Sequence, residues 1–432
     1  MRIGMVSATY DPTVINGAVR MVTLYKQHLE ALGHEVTIFT LGDEQEGDGA
    51  ARIVRSPGFR LGDYGYFVGL RYSREAQMLL TEMDVVHCHH LLMSVEMAHR
   101  YARCPIVYTN HTRYDLYTGA YTPLPQPAAD AIMRQIWPEF TGLADTVIAP
   151  SESVRQLLAD FGVHAPLVVI ENGIELEPFL QPRRPRAKND FGLPDDAFLL
   201  LYVGRLSSEK NVLALLEQMA LACQVMPGLH LAIIGKGPQE EELRQRAAER
   251  QLGGCVHFRG VVPFDEVGDW LATADAFVTA STSEVHPLTI IEAMAAGKPI
   301  AAVQSPGISD TVEPGVTGLT TTTVDGLSAA IVALAADPAR ARAMGAAGRE
   351  ASRRFDIGRT VGLTVDLYES LLATRPDLTR DDPHGRWSRR TEMWAGLLDQ
   401  LAQIIHPTDD ADDGARRWWP AGILAGRKEH DE

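Results

Sequence analysis

The sequence predicts an α/β protein built from two doubly wound domains that face each other across an interdomain cleft. Three observations predict it. Short β-branched runs alternate with longer helical stretches, the rhythm of a parallel sheet covered by helices. That rhythm breaks at a proline-rich, basic segment and then restarts. The chain has 432 residues, too many for one ordinary core. Ligands bind such sheets beyond the carboxyl ends of the strands, so two facing sheets imply a site in the gap between them.

The first domain is expected over 1–176. "RIGMVSA" (2–8) reads as a buried strand, and "GAVRMVTLYKQHLEALG" (17–33) as a helix with Gly33 after its end. "EVTIFTL" (35–41), "DVVHCHH" (84–90), "PIVYTNH" (105–111) and "DTVIAPS" (145–151) are the strands that follow. Residues 177–190 hold three prolines and four basic residues and read as a linker. The second domain is expected over 191–356, with strands at 198–204, 229–235, 256–260, 275–281, 299–303 and 318–322. A last helix over 357–373 precedes a charged tail, 374–432, with the composition of a partly disordered segment.

Formal net charge is −16, which argues against general nucleic-acid binding, because phosphate contacts need a basic surface. Cys88, Cys104, Cys223 and Cys255 form no Cys-x-x-Cys pair and are expected as free thiols in a reducing compartment. The first residues lack a signal-peptide pattern, and no run approaches the ~20 apolar residues of a membrane span. A cytoplasmic protein is expected, with any membrane contact peripheral and at the inner face.

Several clusters carry chemistry. In "LYVGRLSSEKN" (201–211) a strand and a glycine turn place Arg205 and Lys210 around the start of a helix. Two cations beside a helix N-terminus suit a diphosphate, because the helix end adds about half a positive charge and arginine can bind two oxygens. A solvated loop is the alternative. In "AIIGKGPQEEELRQ" (232–245) the turn at Gly235 could cradle phosphate, but a lone Gly-x-Gly reads more readily as a tight turn. In "SEVHPLTIIEAMAAGKPIAA" (283–302) a helix is expected over 288–296, with Pro287 in its first turn and Gly297 after its end. Its N-terminus at Leu288 can face an anion. Glu292, one turn deeper, can accept from the vicinal hydroxyls of a ribose, while Glu284 touches what lies beyond the phosphates. A capping carboxylate and a surface glutamate are the plainer alternative. Gly17, in "DPTVINGAV" (11–19), allows close backbone approach or forms an ordinary loop. His87 and His89 share one strand face and Cys88 the other, without the spaced second ligand pair of a zinc site. His111 ends a strand at the cleft, as a positioning residue or a satisfied structural histidine.

Taken together, "GRLSSEKN", "IIGKGP", "ADAFVTASTSE", "APSESV", "ENGIELEPF" and Glu284–x7–Glu292 with "EAMAAGKP" resemble the landmarks of retaining GT-B glycosyltransferases of family 4, over most of residues 1–373. The resemblance implies two Rossmann-like domains, a nucleotide-diphosphate sugar as donor substrate, and no cofactor. It places Arg205 and Lys210 on the diphosphate, Glu292 on the ribose, Glu284 on the donor sugar and His111 near the reacting sugar. Gly17, Gly235, His286 and Leu288 fall among its donor-binding positions, and the last helix crosses back onto the first domain. One departure is plain: where many relatives carry Phe-Gly, this chain has His286 and Pro287. Proline has no N–H, so one backbone donor is absent, and either His286 compensates or the backbone binds differently.

The reaction so implied is hexose transfer to an acceptor hydroxyl with the anomeric configuration kept. Fixed cations stabilise the leaving diphosphate, and no metal is expected. Asp410-Ala-Asp412 is the one Asp-x-Asp match and lies in the acidic tail. A retaining hydrolase would instead need two carboxyl groups ~5 Å apart and no phosphate clamp. A nucleotide-sugar epimerase, or a non-catalytic nucleotide-sugar-binding protein, is the competing reading. The acceptor is a lipid or a glycan. "NHTRYDLY" (110–117) is similar to a loop of diacylglycerol glucosyltransferases, and residues 51–74 carry five arginines and five aromatics, suited to an anionic membrane or to packing on their own domain.

Overall fold

The structure, a computed structural model, describes residues 1–11, 16–61, 66–69, 71–116 and 125–374. The charged tail from 375 on, with Asp410-Ala-Asp412, lies outside the described residues, as do 12–15, 62–65, Leu70 and Tyr117.

Two parallel sheets form the cores of two lobes. The first lobe contains β1 (Arg2–Val6), β2 (Glu35–Leu41), β3 (Ile53–Ser56), a separate antiparallel hairpin of β4 (Phe59–Leu61) and β5 (Tyr66–Val68), then β6 (Val85–Cys88), β7 (Ile106–Thr109), β8 (Thr146–Ala149) and β9 (Leu167–Val169). Its seven-stranded sheet runs β3-β2-β1-β6-β7-β8-β9. The second lobe contains β10 (Phe198–Val203), β11 (Leu229–Ile234), β12 (Val256–Gly260), β13 (Ala276–Thr279), β14 (Ile300–Val303) and β15 (Gly318–Thr321), ordered β12-β11-β10-β13-β14-β15. The central strands are apolar on both faces because helices cover both: Ile3, Met5, Val6, Val85, Val86, Ile106 and Val107 are fully buried. In each sheet the chain order reverses at the first strand, beside β1 and β6 and beside β10 and β13. Those reversals open the crevices where ligands of such sheets bind.

Helix Gly17–Ala31 starts where Asn16 accepts from the Ala18 N–H at 2.9 Å, and it buries Val19, Val22 and Leu29 on one face. Gly33, at φ +84°, closes it. Residues 177–190 are not a loose connection. Phe179 is buried in the short helix Glu177–Leu180, and the Arg184 N–H donates to Asp269 Oδ1 at 2.8 Å. The final helix, Ile357–Thr374, lies on the first lobe: the Tyr25 hydroxyl bonds Thr364 Oγ1 at 3.1 Å, and the Tyr368 hydroxyl bonds His87 Nδ1 at 2.6 Å. Gly173 lets it approach, since a Cβ there would come within 2.6 Å of Ile357 Cα.

Within 51–74 the structure separates the two alternatives residue by residue. Arg55 is buried against Asp48 at 2.7 Å, on edge strand β3, so it packs on its own lobe. Arg52, Arg71 and Arg74 are exposed, and Phe59 is 80% exposed. Among the described residues no helix is long and apolar enough to cross a membrane.

Candidate active site

One cavity opens between the lobes at the carboxyl ends of β1, β6, β7, β10 and β13. Gly17 and His111 line it from the first lobe; Arg205, Lys210, Glu284, His286 and Leu288 line it from the second. Gly235 and Glu292 do not line it.

The Arg205–Lys210 loop is held by its own hydrogen bonds. Arg205 Nη2 donates to Glu209 Oε1 at 2.6 Å, and Ser207 Oγ donates to the same oxygen at 2.6 Å. Ser283 Oγ donates to the Glu209 carbonyl at 2.9 Å, tying this loop to the one that carries Glu284. Asn211 turns the chain into helix Val212–Val225 at φ +54°, a left-handed position asparagine tolerates, and its side chain donates to the Ala280 carbonyl. Lys210 Nζ donates to Glu284 Oε1 at 2.7 Å. Both cations therefore hold a carboxylate of their own lobe. The turn at Gly235 has a packing reason: at φ +142°, a Cβ there would sit 1.8 Å from the Gly204 carbonyl oxygen. That glycine lets β11 end directly behind the Arg205 loop, the tight turn that a lone Gly-x-Gly more readily suggests.

Helix Leu288–Ala295 begins after Pro287 and not at it: Pro287 is the N-cap residue, φ −78° and ψ 109°, one position earlier than its expected place in the first turn. Gly297, at φ +72°, ends the helix. The His286 ring packs edge-on against Phe355 at 5.2 Å, with both ring nitrogens shut from solvent. Burial pushes its pKa down to about 3. The ring is thus buried and neutral, its two nitrogens without a partner, and the backbone at this position is steadied by Asn172 Nδ2 donating to the His286 carbonyl at 3.3 Å.

Glu292 is 1% exposed and is not a surface glutamate. It forms an ion pair with Arg20, from helix Gly17–Ala31 of the opposite lobe, and the Arg20 guanidinium lies 3.8 Å over the Phe264 ring. Burial raises the Glu292 carboxyl pKa, against the opposing pull of Arg20. Arg20 Nε and Nη2 are buried without partners.

On the first-lobe wall, His111 Nε2 meets His89 Nδ1 at 3.0 Å, the rings stacked at 12°. His89 Nε2 is buried without a partner. A proton on that atom would be an unsatisfied buried donor, so the better tautomer puts it on Nδ1, donating to His111 Nε2. His111 then carries its own proton on Nδ1. Burial holds His111 near pKa 3 and keeps both rings neutral. His87, on the same face as His89 at 4.2 Å, is occupied by Tyr368 and Thr109. Among the described residues no group of three His, Cys, Asp or Glu side chains could hold a metal ion.

The pattern of relatives decides what this geometry belongs to. Residues 15–178 match the family described as Glycosyltransferase Family 4, and residues 183–351 match Glycosyl transferases group 1. The chain belongs to glycosyltransferase family 4. This family 4 enzyme is 31% identical over 330 residues to the alpha-monoglucosyldiacylglycerol synthase of Streptococcus pneumoniae, covering 72% of this chain and 73% of that protein. It is 30% identical over 338 residues to the synthase of the same name from Acholeplasma laidlawii, covering 74% and 84%. Its fold matches Anabaena HepE in complex with UDP-glucose, with TM-score 0.68 and 21% identity over 86% of this chain and all of that one. It also matches a Thermosynechococcus elongatus sucrose-phosphate synthase, with TM-score 0.69 and 23% identity over 87% of this chain and all of that one. The fold is thus GT-B, and the protein is a hexosyltransferase; the epimerase and sensor readings fall away.

Sequence reasoning missed several site residues of this glycosyltransferase. Asn16 was available as a cap immediately before an apolar-periodic run. Glu209 sits inside the quoted phosphate-clamp motif and was passed over between its two cations. Arg20 carried no local signal, because its partner Glu292 lies across the fold, and Arg113, which lines the cavity, is held by an ion pair to Asp115.

Proposed function

We propose that this enzyme moves a hexose from a UDP-sugar to the hydroxyl of a lipid acceptor of the diacylglycerol type, with the anomeric configuration kept and without a metal. The observation that carries the reading is the interlobe cavity in which Arg205 and Lys210, from one strand end, face Gly17 and His111 from the other lobe. Relatives at 30–31% identity are named as synthases of alpha-monoglucosyldiacylglycerol, which supports the acceptor, and a fold neighbour in complex with UDP-glucose supports the donor.

In this reading the arriving diphosphate draws Arg205 from Glu209 and Lys210 from Glu284. Lys210 and Arg205 then neutralise charge that grows as the sugar–phosphate bond breaks, and the N-terminus of helix Leu288–Ala295 adds its partial positive charge. Glu284, released from Lys210, accepts from a sugar hydroxyl, and His111 holds the sugar or acceptor from the opposite wall. Glu292 is the ribose ligand, which requires Arg20 to share or surrender it. The acceptor hydroxyl loses its proton to the departing diphosphate on the same face. We place the acceptor-side lobe at 1–176 and the donor-side lobe at 191–356, joined by 177–190 and by the returning helix. The exposed Phe59, Arg52, Arg71 and Arg74 would rest the first lobe on an anionic bilayer.

The test is transfer from radiolabelled UDP-, GDP- and ADP-glucose to diacylglycerol in anionic vesicles, with and without EDTA, with the product anomer read by NMR. An α-linked glycolipid from the UDP-sugar, unaffected by EDTA, is expected. Arg205→Ala should lower kcat/KM by 10-fold or more, the loss of one charge-assisted contact. Wild-type turnover in that variant would end the clamp assignment.

A further inference from the structure

Outside the cleft, two thiols lie in contact at the edge of the second lobe. Cys223 sits in the last turn of helix Val212–Val225, and Cys255 immediately precedes β12. Their sulfurs are 3.2 Å apart, closer than the roughly 3.5–4.0 Å at which non-bonded carbon atoms settle. Both are partly exposed, whereas Cys88 and Cys104 are buried in the first lobe.

We propose that Cys223 and Cys255 are a modification site: a hydroperoxide closes them into a reversible disulfide. The two sulfurs have distinct parts. The Cys223 thiol donates to the Cys255 sulfur, and that bond lowers the Cys255 thiol while raising Cys223. Cys255 is therefore the nucleophile and Cys223 the resolving thiol. The Cys255 thiolate attacks one peroxide oxygen; an S–O bond forms, the O–O bond breaks, and the other oxygen leaves as an alcohol or water. The Cys223 sulfur then attacks the Cys255 sulfenic acid. The S–S bond forms, the S–O bond breaks, and hydroxide leaves with the Cys223 proton as water. Two thiols and one hydroperoxide give one disulfide, one alcohol or water, and one further water.

Closure needs a movement of only about 1 Å, from the observed contact to a bonded pair. Cys223 lies eleven residues past Val212, about 16 Å along the helix from the end that follows Lys210. The crosslink therefore pins the helix to the sheet edge without reaching the cavity, and transfer by the oxidised enzyme stays within about twofold.

The test treats the intact protein with a few equivalents of hydrogen peroxide, alkylates it under denaturing conditions and maps the peptides. A linked Cys223–Cys255 peptide pair is expected, free thiols falling from four to two and returning with dithiothreitol. The oxidised protein should melt a few degrees higher. In Cys223→Ser, Cys255 should accumulate as a sulfenic acid captured by dimedone. Four thiols surviving peroxide in the wild-type protein, or oxidation confined to Cys88 and Cys104, would overturn the proposal, and that measurement requires no variant to fold.

Discussion

His111 can do its work only in the tautomer its neighbour permits. With His89 Nδ1–H donating to His111 Nε2, the ring on the cavity wall holds its proton on Nδ1, which in the proposed function makes it a donor to a ligand oxygen and not a base. Asparagine carries an amide near the place of Nδ1–H and leucine carries none. His89→Leu should therefore lower kcat/KM by about 10-fold, the scale of losing one orienting hydrogen bond, while His89→Asn recovers most of it. Nitrogen-15 spectra of histidine-labelled protein give the readout that packing alone would not move: His111 as the Nδ1–H tautomer in wild type and a tautomer mixture in His89→Leu. An Nε2–H tautomer in the wild-type protein would reverse the assignment. At this scale the sequence was readable where site residues lie within one continuous motif, as with Arg205 and Lys210 in 201–211 and Glu284 in 283–302. It was silent where they do not. Arg20 and Glu292 are 272 positions apart, and only packed lobes bring them together. His286 is a related case: its ring packs against Phe355, a partner far along the chain that the local motif does not announce.

Elements carry the site through the accuracy of their ends. The Arg205 loop rests on the turn that ends β11, and the contact has no slack: Gly235 needs both its φ of +142° and the absence of a side chain. Gly235→Ala should cost about 2 kcal/mol or more and lower transfer by 10-fold or more, because the displaced backbone is that of Gly204, next to Arg205. Chemical denaturation and steady-state kinetics check both, and Gly254→Ala, whose Cβ meets nothing, serves as the control with little change in either. The long buried strands were readable because runs such as 198–204 and 229–235 are continuous and apolar. Strands β4, β5 and β9 were not, since three residues carry too little pattern, and β3 lies in 51–74, whose arginines and aromatics pointed to a surface before a strand. Helix Leu288–Ala295 was placed nearly to the residue by Pro287 and Gly297, the two punctuators that bracket it.

An apolar core runs through both lobes, and the buried polar groups set within and beside it make the molecule sensitive to acid. His87, His90 and His286 are each at most 5% exposed, and burial lowers their pKa values to about 3, 4 and 3. His87 joins the first lobe to the returning helix through Tyr368, and His286 packs beside Phe355 at the lobe junction. The unfolded chain protonates these imidazoles below about pH 6.5, while the folded chain refuses the protons until near pH 3–4. Their contribution is therefore complete above pH 6.5 and falls as pH drops, by at most about 2 kcal/mol each at pH 5. Glu292 acts in the opposite sense, because burial raises its carboxyl and the folded chain binds that proton first; being one group against five with His89 and His111 counted, and opposed by Arg20, it does not cancel the trend. The melting temperature should fall by on the order of 10 °C between pH 7.5 and pH 5, before most carboxylates titrate. His286→Phe, which keeps a ring against Phe355 and removes one of the five imidazoles that burial holds neutral (His87, His89, His90, His111 and His286), should flatten that slope by roughly a fifth. Calorimetry across the pH series decides it: a melting temperature level down to pH 5 would mean that these imidazoles accept protons in the folded protein, and that the junction they occupy is open to water.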